Sequence, residues 1–111
     1  MDQFNLWLDQ ELAKRGWNDY QLSKKAGISH SVISKARSGI LPKWQACFSL
    51  ANALSVAPET VFRLAGLLSK APDWSPEKDE WDHLFAQLPS EEREELLQIA
   101  RIKYERKKSS P

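Results

Sequence analysis

Residues Asn18 to Gly39 read NDYQLSKKAGISHSVISKARSG, a stretch divided by Gly27. Asn18 with Gln21 three residues later has the spacing of a capping box, and Leu22 and Ala26 lie one helical turn apart before Gly27 ends the segment. The spacing predicts a helix of only about two turns. Ile28 follows the glycine, Ser29 can cap the next helix with its hydroxyl, and Ile33 and Ala36 give that helix an inward face ending at Ser38-Gly39. Ser23 is small where the second of these helices must approach. Two short helices joined through a glycine in this way are the makings of a helix-turn-helix.

Working outward, Phe4, Trp7, Leu8 and Leu12 recur at i, i+3, i+4 and i+8, which puts them on one face of a helix from about Asp2 to Gly16. Trp44, Cys47, Phe48, Ala51 and Leu54 mark a fourth helix. Pro58, at a first helical position, opens a fifth with Val61, Phe62 and Ala65 inside. No strand pattern is present and the connections are short, so five helices must share one core. On this pattern Trp7, Trp17 and Trp44 are core side chains and Cys47 is a small buried hydrophobe. Arg15, Lys24 and Lys25 read as solvated helix surface.

The composition changes at Ser69 to Pro76, SKAPDWSP, where two prolines disfavour helix on both sides. This predicts a linker over residues 69–76 between a first domain, 1–68, and a helical pair, 77–108. Ser75-Pro76 is a cap followed by a first-position proline, and Trp81, Leu84, Phe85 and Leu88 form a stripe. Ser90 caps the last helix, whose start holds Glu91, Glu92, Glu94 and Glu95 and whose end holds Arg101, Lys103, Arg106, Lys107 and Lys108. That arrangement complements a helix dipole. Leu96, Leu97, Ala100 and Tyr104 supply its apolar side. These two apolar faces exceed what a solvated tail needs, so they are assigned to dimerisation or to binding another protein, with packing on the first domain as the alternative.

One hundred and eleven residues, 28% charged and 41% apolar, suit one folded domain with a helical appendage. Sole Cys47 excludes an internal disulfide and a cysteine metal cluster, and His30 and His83 stand at no ligand spacing, so no metal and no cofactor is expected. No apolar run approaches the roughly 20 residues of a membrane span, and polar Asp2 and Gln3 stand where a signal segment would be basic and then apolar. A cytoplasmic protein without membrane partners is the expectation. The acidic start of the last helix has no nucleophile beside it, so the chain does not read as an enzyme. A net charge of +1 argues at first against a nucleic-acid partner. Residues 1–69, however, hold eight basic and five acidic side chains, and residues 70–111 eight basic and ten acidic. The near-neutral total hides a basic front and an acidic back.

The pattern Leu22-Ser23-x-x-Ala26-Gly27-Ile28-Ser29-x-Ser31-x-Ile33-Ser34, followed by Ser38-Gly39, resembles the Cro and phage-repressor (XRE) family of DNA-binding domains. The likeness runs on through Leu50-Ala51-x-Ala53-Leu54-x-Val56 and covers roughly residues 3–66. It implies a five-helix, lambda-repressor-like helix-turn-helix domain, and with the two C-terminal helices read above the whole chain is expected to be all-α. It also implies a sequence-specific transcriptional regulator, a dimeric repressor reading an inverted-repeat operator in double-stranded DNA. By the resemblance, Ser29, His30, Ser31, Ser34 and Lys35 face the bases of a major groove about 12 Å wide, whereas Ile33 and Ala36 are core. Asn18, Arg37 and Lys43 are then the phosphate contacts. Two positions depart from the family: it usually has Gln where Asp19 stands and often Glu where Arg37 stands. Asp19 would repel phosphate, and Arg37 could restore the attraction. The rival reading is a protein-interaction module that keeps the fold with weak or no DNA binding, as an antitoxin or a regulator's partner; a toxin or an anti-repressor is the corresponding protein partner.

Overall fold

Asp2 starts the first helix by accepting the Asn5 backbone N–H at 2.8 Å, a cap that satisfies one of the donors every helix start leaves open. The computed structural model describes residues 2–109, and among them the chain is all-α: α1 (Gln3–Arg15), α2 (Asp19–Ala26), α3 (His30–Arg37), α4 (Trp44–Leu54), α5 (Pro58–Leu64), α6 (Pro76–Gln87) and α7 (Ser90–Ser109). No helix among the described residues is long and apolar enough to cross a membrane.

The capping box at α2 is complete. Asn18 Oδ1 accepts the Gln21 backbone N–H, and Gln21 Oε1 accepts that of Asn18, both at 2.8 Å. Gly27 closes α2 with φ 68°, a left-handed conformation that disfavours any side chain. That turn lets α3 start three residues later, at His30. Ser23 is buried, and its hydroxyl bonds the Tyr20 carbonyl at 2.7 Å rather than standing unpaired between helices.

α2 packs against α3 and α4, α4 against α5, and α1 against α5. Their inner faces form one core from Phe4, Trp7, Leu8, Leu12, Leu22, Ile33, Ala36, Cys47, Leu50, Ala51, Leu54, Val61 and Leu64. Trp17 is packed against it, partly buried. Trp44 is not core. It lies half exposed on the first turn of α4, edge-on to Phe62 at 4.8 Å, with equally exposed Phe48 one turn on. The buried stripe of α4 is set by Cys47, Leu50, Ala51 and Leu54, and Trp44, although it shares their period, packs at the edge of the core against Phe62 of α5. Arg15 is not solvated either: its guanidinium donates to the Glu11 and Leu54 carbonyls and ties the end of α1 to the end of α4.

Cys47 is fully buried and donates to the Pro42 carbonyl at 3.5 Å, and burial pushes its thiol up to about 11. A disulfide reagent at pH 8 should leave the folded protein unmodified and label it once denaturant is added. Because the folded value lies above the ordinary 9.0, this group's contribution to stability is complete below that pH and is lost as pH rises through the folded value. Titration of unfolding free energy toward alkaline pH checks the sign.

The prolines of 69–76 do interrupt the helices, but the segment is held. Trp74 packs against the core, and its indole N–H donates to Asp79 at 2.8 Å. The same Asp79 oxygen accepts from Thr60 Oγ1 and Arg63 Nη1, both at 3.1 Å, joining the first turn of α6 to α5. The first compact unit accordingly extends to Asp79, and residues from Glu80 onward form a second. Ser75 caps α6 through the Lys78 N–H. In the second unit Trp81 stacks on Phe85 at 5.4 Å and the Arg93 guanidinium lies 6.0 Å from the Phe85 ring. No residue of α6 or α7 is buried.

Candidate nucleic-acid interface

α3 separates its residues cleanly by face. Ile33 and Ala36 are 1% exposed, while Ser29, His30, Ser31, Ser34 and Lys35 are all exposed. All five polar residues that the sequence picks out on this helix and its cap are accessible to solvent. Ser29 is the N-cap: its oxygen accepts the Ser31 N–H at 3.2 Å and lies 2.9 Å from the Ser31 hydroxyl. The cap and an outward contact are compatible, since a hydroxyl has both a donor and two acceptor sites. Ser34 Oγ lies 3.3 Å from His30 Nδ1, so these two side chains present one joined polar edge.

Lys35 and Val32 line one wall of a groove of about 520 Å³ between α3 and the start of α4. Ile40, Leu41, Pro42 and Lys43 also line it. Lys43 is the N-cap of α4 and makes no side-chain cap bond. The first N–H groups of α4 are thus left for an outside acceptor beside a cation, the combination that suits an anion. Only Lys43 was legible in the sequence here; the open helix start depends on a cap that is missing.

Asn18 lies at the start of α2, its Oδ1 occupied by the capping box, which leaves the side-chain Nδ2 as its donor. Tyr20, 56% exposed, was missed by sequence reasoning because nothing in its spacing marks it. Its ring lies 6.3 Å from that of His30, and Lys24 Nζ stands 5.1 Å from its face. The packing of α2 on α3 is what brings Tyr20 beside His30.

Arg37 sits differently from the other cations. Its Nε and Nη2 donate to the two oxygens of Asp19 at 3.1 and 2.9 Å, and Nη1 reaches Asp9 at 2.8 Å and Asn5 Oδ1 at 3.1 Å. Asn5 is 3% exposed and donates in turn to the Ala36 carbonyl at 2.9 Å. The hydrogen bonds it donates to Asp19, and the charge of that carboxylate, hold the guanidinium above its already high ordinary pKa. This clamp joins α1, α2 and the end of α3. It uses Arg37 within the fold, where the one guanidinium is shared between Asp19 and Asp9. The signal was present as two departures from the family pattern, but the sequence did not show that they pair with each other.

No family model, curated protein or solved structure matches the chain. The chemistry of the surface itself is therefore what bears on function. Among the described residues no group of His, Cys, Asp and Glu could hold a metal ion. The accessible side of α3 offers hydroxyls, an imidazole and one ammonium group, with an anion-suited helix start at its border.

Proposed function

We propose that the chain is a sequence-specific DNA-binding transcriptional regulator of the Cro and phage-repressor type, in which α2 and α3 are the helix-turn-helix of a five-helix domain. The observation that carries this reading is the exposed row Ser29, His30, Ser31, Ser34 and Lys35 opposite buried Ile33 and Ala36. A helix of this diameter fits a major groove about 12 Å wide. Ser29, His30 and Ser31, in the first turn, then meet base edges, and Lys35 donates to guanine O6 or N7. Lys43 with the open N–H groups of α4, and Asn18 at the start of α2, hold the phosphates on either side. Arg37 acts from within, by fixing α3 and neutralising Asp19. Binding as a two-fold dimer to half-sites one DNA turn apart compensates for the short readout of one helix, and occupancy of a promoter gives repression.

The modest charge of the domain favours one second reading, a protein-interaction module with little affinity for DNA. The two differ in how Lys35 and Lys43 behave. On a duplex enriched from random sequence, Lys35→Ala should weaken binding by about 1–3 kcal/mol while leaving binding to random DNA little changed. Lys43→Ala should weaken both and lower the salt slope by about one. Fluorescence anisotropy at several salt concentrations reads both effects. Wild-type affinity in both variants would contradict this interface.

A further inference from the structure

Ile99 and Ile102 are 50% and 54% exposed on α7, a helix with no buried residue. Glu92, Glu95, Ile99, Ile102, Arg106 and Ser109 follow one another at alternating spacings of three and four, so they form a single heptad seam along the helix. The seam is acidic at its N-terminal end, apolar in the middle and basic toward its C-terminal end. The helix dipole accounts for acid at the start and base at the finish. It does not account for two exposed isoleucines placed on the same line between them.

The positions on this seam are related to one another by a half-turn. A two-fold axis through the point midway between Ala100 and Arg101 exchanges Ile99 with Ile102, Glu95 with Arg106, Glu92 with Ser109 and, beside the seam, Glu94 with Lys107. We propose that α7 pairs antiparallel with α7 of a second copy of this chain through Glu95, Ile99, Ile102 and Arg106. Each Ile99 then meets the second copy's Ile102, and each Glu95 meets its Arg106, so both ends of the seam carry opposite charges in contact. A parallel pair would instead set Glu95 against Glu95 and Arg106 against Arg106, which costs rather than stabilises. The self-complementary contact is the kind a closed two-fold dimer requires. The use of this dimer rests on the reading above as a two-fold DNA binder, but the pairing itself is measured with no DNA present.

Sedimentation of the full chain across the micromolar range should show a reversible monomer–dimer equilibrium. Because the two-fold repeats each ion pair, Glu95→Lys alone and Arg106→Glu alone should each weaken the dimer by about tenfold or more. The double variant Glu95→Lys with Arg106→Glu should return most of the lost affinity, since both pairs are restored in reversed sense. Ile102→Asp should give a monomer. These are surface positions, so the far-ultraviolet spectrum and thermal transition should stay close to wild type and separate loss of pairing from loss of folding. A monomeric wild-type chain, unaltered dimerisation in Ile102→Asp, or a double variant as weak as the singles would overturn the antiparallel seam. A dimer that passes these tests yet binds no DNA would leave the seam standing and refute the regulator reading alone.

Discussion

Replacing Phe4 by alanine is expected to lower the free energy of unfolding by about 3–5 kcal/mol, the range for truncating a fully enclosed aromatic side chain. Phe4 is 1% exposed, with its ring 6.3 Å from that of Trp7. The loss combines the transfer of the ring with the cavity left behind, because the helices around it relax only in part. Domains of this size hold roughly 5–15 kcal/mol in all, so the variant sits near the edge of folding at 25 °C and a denaturant midpoint well below wild type is the expected readout. Phe48→Ala is the control. Phe48 also lies in an apolar stripe, but it is 51% exposed on the rim of α4, and its truncation should cost about 1 kcal/mol or less. Equal losses from the two would contradict the packing described for α1.

The second large effect concerns Arg37. Arg37→Ala removes a two-pronged bond to Asp19 and the contacts to Asp9 and Asn5. The side chain is a quarter exposed, so solvent screens part of the gain, and a stability loss of about 2 kcal/mol is expected for hydrogen bonds to charged partners. DNA binding should fall as well. The end of α3 loses its tie to α1, and Asp19 is left as a bare carboxylate at the start of α2, where a phosphate would approach. Adding Asp19→Asn to Arg37→Ala should recover part of the affinity and little of the stability, which separates the electrostatic effect from the structural one. Arg37→Lys should restore little of either, since one ammonium cannot reproduce the planar fork that spans Asp19 and Asp9. Unchanged affinity of a folded Arg37→Ala variant for every duplex would mean that Asp19 faces no phosphate.

Much of this architecture is written in local chemistry. The capping box of Asn18 and Gln21, the left-handed Gly27 and the Ser29 cap are short-range features, so the sequence locates α2 and α3 closely. The inward faces of α1 and α3 follow from spacing alone. Trp44 shows where spacing stops being enough: it satisfies the period of α4, yet only the neighbouring α5 decides that it forms a rim against Phe62. Arg15 and Arg37 fail the same way, because a cation on a helix surface cannot reveal which carbonyl or carboxylate a distant segment will bring to it. Trp74 and Asp79 make the residues around two prolines part of the first unit through contacts to Thr60 and Arg63 that no local pattern encodes. For the candidate interface, the polar row on α3 was legible throughout. The position of Tyr20 beside His30 arises only once the helices are packed.

The function proposed for α3 is the reading of base sequence. Repeated selection of the full chain against a library of random duplexes, followed by salt titration on the enriched pool, tests it most directly. The expected product is an inverted repeat with half-sites about one helical turn apart, bound with a steep dependence on salt. A library that shows no enriched motif after selection would contradict it.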